Sequence, residues 1–178
     1  MKKRIIIAIV VWNLIFSVFS IHSYAADLTL NNTPTQAYFS PHGGCTEAIT
    51  REIGNAKTEV LIQAYSFTSA PIAKALLNAH KRGVKVEVLL DKSQRTKKYN
   101  SATFLSNSGT PTFIDNMHAN AHNKIMIIDR ETVITGSFNF TKAAEEKNAE
   151  NLLIIKNPDL AMIYVNNWYK HKGHAERY

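Results

Sequence analysis

The sequence has one cysteine, Cys45, among 178 residues, so no intrachain disulfide can form and the fold must rest on its own core. The lone thiol is expected to be a small buried apolar residue. Glycine and proline are sparse, at seven and five, and there is no internal repeat, low-complexity tract or linker. With 45% hydrophobic and 20% charged residues, disordered, collagenous and many-span membrane classes are excluded. Beyond residue 25 no apolar run is long enough to cross a bilayer, and no base-reading module or interfacial amphipathic helix is visible. Strong basicity is also lacking. The formal charge is +7, but Lys2, Lys3 and Arg4 precede an apolar leader; without those three, 18 basic residues face 14 acidic ones, leaving +4. That favours polyanionic partners only weakly.

The leader has the form of a signal peptide. Ile5 to Ile21 is apolar apart from Asn13 and two serines, and Ser23-Tyr24-Ala25 offers small residues at the cleavage positions. Residues 1–25 are thus expected to be removed, leaving 26–178 as one domain in the periplasm or outside the cell, with no stable membrane insertion of the mature chain.

Along that mature chain, short apolar runs alternate with segments of helical period, which predicts an α/β fold: a mixed central sheet with helices on both faces. Strands are expected at Gln36 to Ser40, Glu59 to Tyr65, Val84 to Leu90, Thr112 to Ile114, Lys124 to Ile128, Thr132 to Thr135 and Asn151 to Ile155. One helix carries Cys45, Ala48, Ile49 and Ile53 and stops at Gly54-Asn55. A second opens at Ser69-Ala70-Pro71, with Ser69 as its cap, and a third is expected from a Ser93 cap to Asn107. A last helix opens at Asn157-Pro158 and buries Met162, Val165 and Trp168 or Tyr169.

The runs at 124–128 and 132–135 are close enough for a hairpin, apolar on both faces and therefore central to the sheet. A two-residue turn at Arg130-Glu131 would set Lys124 opposite Ser137 and His122 opposite Asn139; a three-residue turn would shift that register. An imidazole, an ammonium, a hydroxyl and a carboxamide on one patch suit an anion with tetrahedral oxygens, phosphate above all. Gly136 would let backbone approach the same place. His122 is the one plausible nucleophile or general base in that group.

The spacing His122-x-Lys124-x4-Asp129-x6-Gly136-Ser137-x-Asn139, followed by Glu150-Asn151, resembles the signature of the phospholipase D superfamily, and its wider context resembles the nuclease branch. The resemblance implies a phosphohistidine mechanism. It assigns the nucleophile to His122, phosphate binding to Lys124 and Asn139 with support from Ser137, and orientation of the nucleophilic ring to Glu150. Asp129, although in the signature, falls at the hairpin turn and is expected to act structurally, through the turn or a nearby cation. Large members of the superfamily place two motif copies at one site. This chain has one, so the resemblance implies a homodimer in which two His122 side chains share a phosphodiester.

The expected activity is metal-independent, cofactor-free endonucleolytic hydrolysis of DNA, with RNA as a further substrate, at little sequence preference. A lipid phosphodiesterase or transferase and a noncatalytic nucleic-acid-binding protein are the alternatives. Lys92, Arg95, Lys97, Lys98 and Tyr99 could contact backbone phosphates or form a solvated helix face. His118 and His122 lie four apart, but the flanking sequence argues against a helical metal pair. Lys170, His171, Lys172 and His174 read as charges suited to a helix C-terminus, with no site assigned.

Overall fold

The computed structural model describes residues 25–96 and 101–178. The leader ahead of Ala25, and Lys97, Lys98 and Tyr99 of the basic cluster, lie outside the described residues.

Most apolar runs become strands of one eight-stranded sheet, in the order β1-β7-β6-β5-β2-β3-β4-β8. The strands are β1 (Thr35–Ser40), β2 (Glu59–Ala64), β3 (Lys85–Asp91), β4 (Thr112–Asp115), β5 (Lys124–Ile128), β6 (Thr132–Gly136), β7 (Glu150–Lys156) and β8 (Glu176–Arg177). β2, β3 and β4 pair in parallel and the remaining pairs are antiparallel, which makes the sheet mixed. Every residue of β2 and β5 is buried, as expected of strands covered on both faces. The helices are α1 (Cys45–Asn55), α2 (Ala70–Lys81), α3 (Ser101–Asn107), α4 (Lys142–Glu146) and α5 (Pro158–Lys172).

Alternation along the strands divides the core. Val60, Ile62, Met126, Ile128, Ile134 and Ile154 meet Ile49, Ile53, Ile72 and Leu76 of α1 and α2. Leu61, Leu89, Ile125, Ile127 and Val133 meet Ala161, Val165 and Trp168 of α5 on the opposite face. Trp168 is seated there by donation from its indole Nε1 to Ile62 O at 2.9 Å. Helices on both faces of a mixed sheet are what the sequence pattern predicts. Cys45 is fully buried at the start of α1, and burial pushes its thiol up to about 11, assisted by the Glu145 and Glu150 charges.

Several local expectations need correction. Ser69 occupies the cap position of α2 but its side chain makes no capping bond, so Pro71 and packing set that start. No helix begins at Ser93: Asp91 accepts from the Ser93 amide and caps a single 3-10 turn at Lys92–Gln94, and the described part of α3 spans Ser101–Asn107. Asn157 does cap α5, accepting from Leu160 N at 2.8 Å. Within α5, Trp168 is buried whereas Met162 and Tyr169 are exposed. The short elements α4 and β8 have no clear periodic signal and were not expected.

The hairpin register also differs. The tight turn is centred on Asp129 and Arg130, both left-handed at φ 53° and 56°, and Glu131 N closes it onto Ile128 O at 3.0 Å. Glu131 is an extra residue before β6, so Ile128 pairs with Thr132 and Ile125 with Thr135. Continued to the strand ends, this register sets Gly136, not Ser137, against Lys124. The expected Lys124–Ser137 and His122–Asn139 oppositions are therefore not formed. The physical reason is that aspartate tolerates the left-handed conformation and here is clamped in it. Its carboxylate accepts from the Lys57, Thr58 and Glu59 amides and from the Thr58 hydroxyl.

Candidate active site

Lys124 stands at the start of β5 and pairs with Ala64 at the end of β2, which places it at the sheet edge formed by the carboxyl ends of the parallel strands. Alternation puts it on the α1 and α2 face. Only 8% of Lys124 is exposed. Its Nζ donates to His122 O at 2.8 Å and lies 2.9 Å from His122 Nδ1. An ammonium can only donate, so the ring nitrogen facing it carries the lone pair. Burial lowers the Lys124 pKa, and the Glu150 charge partly offsets this. The site thus holds an incompletely solvated cation beside an exposed imidazole, an arrangement suited to a phosphate oxygen.

Tyr65, one residue beyond β2, completes the wall. Its ring centre is 4.3 Å from that of His122, Lys124 Nζ lies 5.2 Å from its centre, and Tyr65 N donates to Asn123 O at 2.9 Å. The sequence gives Tyr65 only as a strand end. Its role as the surface on which the imidazole rests depends on the β2–β5 pairing.

The segment after β6 returns to the same edge. Phe138 and Phe140 are fully buried, and Phe140 bridges Phe67 and accepts from the Thr68 and Ser69 amides. Anchors on both sides fix Asn139, whose Oδ1 is buried without a hydrogen-bond partner. Ser137 Oγ accepts from Asn151 N at 3.0 Å, which leaves the hydroxyl proton available. Gly136 has φ 147°, and a Cβ there would lie 2.2 Å from Asn151 O. The close approach that glycine permits is thus made by β7, which carries Glu150 and Asn151 into the site.

Glu150 begins β7 opposite Ser40. Its Oε1 accepts from Asn148 Nδ2 at 3.0 Å, and its charge acts on Lys124; within one chain its hydrogen bond is to Asn148 rather than to the His122 ring. Asp129 lies at the far end of the hairpin, where its ligands are amides and a hydroxyl rather than the cation considered from sequence. A cavity of about 450 Å³ at that far end is lined by Lys57, Thr58, Asp129 and Lys156. It lacks the imidazole and is not the candidate site.

Other sequence candidates are placed differently. Arg95 is paired with Glu176 at 2.9 Å, and Lys172 with Glu87 at 2.5 Å. His171 and His174, read from sequence as terminal helix charges, converge with His118 on Asp115. The signal for this was the matching Asp-x-x-His and His-x-x-His spacing in two distant segments.

Residues 49–171 match the family described as cardiolipin synthase, PLD-like domain. The phospholipase D of Rickettsia felis is 46% identical over 76% of this chain and 68% of its own, and that of Rickettsia conorii is 42% identical over 81% and 72%. Among solved structures, Nuc from Salmonella typhimurium, a phospholipase D family member, is 39% identical and superposes with a TM-score of 0.78, covering 82% of this chain and 98% of Nuc. NucT from Helicobacter pylori shares the fold at 23% identity, with a TM-score of 0.75 over 82% of this chain and 99% of NucT. A histidine–lysine pair at the edge of such a sheet, on a chain this similar to those proteins, places it in the phospholipase D superfamily as a phosphodiester hydrolase.

Proposed function

We propose that the chain is a metal-independent, nonspecific endonuclease that hydrolyses DNA, with RNA as a second substrate, at a site shared by two subunits. The observation that carries this reading is the buried Lys124 ammonium held against the exposed His122 ring. The similarity to Nuc over 98% of that chain supports nucleic acid as the substrate. All the proposed contacts address phosphate, which carries no base sequence.

In this mechanism one nonbridging phosphate oxygen draws Lys124 Nζ away from the ring, and Asn139 and Ser137 donate to the other nonbridging oxygen. His122 of one subunit attacks phosphorus, forming a P–N bond as the P–O bond to the leaving nucleotide breaks. His122 of the second subunit gives that oxygen its proton, then removes a proton from the water that cleaves the P–N bond. Glu150 accepts from the nucleophilic ring and fixes its tautomer once Lys124 has moved to the phosphate. Asp129 and Gly136 support the motif by holding the hairpin turn and the β6–β7 contact.

The lipid phosphodiesterase reading is favoured by the Rickettsia relatives, which are named phospholipase D. Among the described residues no helix is long and apolar enough to cross a membrane. The deciding assay incubates supercoiled plasmid or phospholipid vesicles with the protein in excess EDTA. Plasmid nicking is expected, falling at least about 10³-fold in His122→Ala and Lys124→Ala. Lipid hydrolysis without nicking would overturn the nuclease reading, and DNA binding without cleavage would favour the noncatalytic one.

Residues 1–25 act as a leader that delivers the enzyme to the periplasm or beyond. The exported protein is expected to begin at Ala26, which its intact mass tests.

A further inference from the structure

A second cluster of reactive groups lies at the same sheet edge as His122, on the other face. Asp115 ends β4 and pairs with Asp91. It shares a face with Phe113, which packs with the α5 core, whereas Lys124 shares a face with Met126 and Ile128 under α1 and α2. Asp115 is fully buried, yet three imidazoles gather around it. His118 Nδ1 is 3.0 Å and His171 Nδ1 2.8 Å from Oδ2, and His174 Nε2 is 3.3 Å from Oδ1. The rings themselves are close: centroids are 4.7 Å apart for His118–His171, 5.3 Å for His118–His174 and 5.5 Å for His171–His174.

Hydrogen bonding alone accounts for this cluster incompletely. His174 Nε2 approaches Asp115 Oδ1 at 3.3 Å, yet it is buried without a hydrogen-bond partner. One ligand atom from each of the four side chains lies within 4.8 Å of every other. A tetrahedral zinc site with bonds of about 2.0–2.1 Å separates its ligands by about 3.3 Å, so binding would draw these atoms closer together, and the imidazoles are partly exposed.

The geometry points to a structural metal site in which Asp115, His118, His171 and His174 bind one divalent transition-metal ion, zinc in particular. Three imidazole nitrogens and one carboxylate oxygen suit zinc, whereas magnesium and calcium prefer all-oxygen sets. Four protein ligands close the coordination sphere and leave no open position for a reacting water. The ion would tie the end of β4 and the C-terminal end of α5 to the loop that runs from His118 over the sheet edge to His122. Asp91 already holds that loop through Ala121 N at 2.8 Å. The site is distinct from the phosphodiester centre and does not depend on the substrate assigned to it.

The test uses the mature chain, purified without a polyhistidine tag, loaded with zinc and passed through a desalting column. One zinc per chain is expected, competing with a chromophoric chelator, and His171→Asn combined with His174→Asn should weaken binding at least about 100-fold. His80→Asn, on α2, should leave binding unchanged. Cobalt(II) added to the unaltered protein should give the intense visible absorption of tetrahedral coordination, a readout that requires no variant to fold. Less than about 0.1 zinc per chain, equal affinity in the double variant, or only weak octahedral cobalt absorption would each overturn the site.

Discussion

Asp129 shows how a motif residue can serve the site without touching it. Its carboxylate gathers the amides of the loop between α1 and β2 while its own backbone adopts the left-handed turn of the hairpin. Burial raises its pKa, but the bonds from Thr58, Lys57 and Glu59 outweigh this and hold it below the ordinary value. A carboxylate depressed in the folded state stabilises fully above its unfolded pKa of about 3.9, and the contribution is lost as pH falls through the folded value. Asp129→Asn turns an acceptor-only group toward donors with an NH₂ of its own. It should cost about 1–3 kcal/mol at pH 7 and flatten that acid-side loss, both read from urea unfolding at several pH values. An unchanged midpoint at pH 7 would sink this account.

At the scale of elements, the hairpin and α5 decide the site between them. β5 and β6 were legible as a buried pair because both faces are apolar, but the register depended on which residues could take left-handed dihedrals. That choice moved Ser137 out of opposition to Lys124, and the site forms instead through β7, which Gly136 allows to approach. The opposite face rests on α5, where Trp168 is locked to the middle of β2. Trp168→Phe keeps most of the apolar contact but removes the donor to Ile62 O and leaves a gap. A loss of about 1–3 kcal/mol is expected in denaturant unfolding, with the sheet retained by circular dichroism. A cost within error of zero would mean that the indole bond is not what seats α5.

At the scale of the molecule, the proposed chemistry needs a second copy. One subunit presents one His122 and one Lys124, and its Glu150 is engaged with Asn148. Wild-type enzyme equilibrated with increasing His122→Asn subunits should lose nicking activity faster than dilution explains, because each mixed dimer lacks one of the two imidazoles. Activity that follows the wild-type fraction linearly, or an active monomer by light scattering, would exclude a shared site.

The alternation of apolar runs and helical periods by itself determined a mixed sheet covered on both faces and the buried cysteine, because burial of periodic apolar residues dominates the folding free energy. The His122 to Asn151 spacing likewise carried the family, since its chemistry needs those residue types in that order. Only the tertiary structure decided the register of the hairpin, the packing of Tyr65 on His122, and the gathering of His118, His171 and His174 around Asp115. Each of these depends on contacts between segments distant in sequence, and no local pattern encodes the distance between two side chains brought together by a sheet.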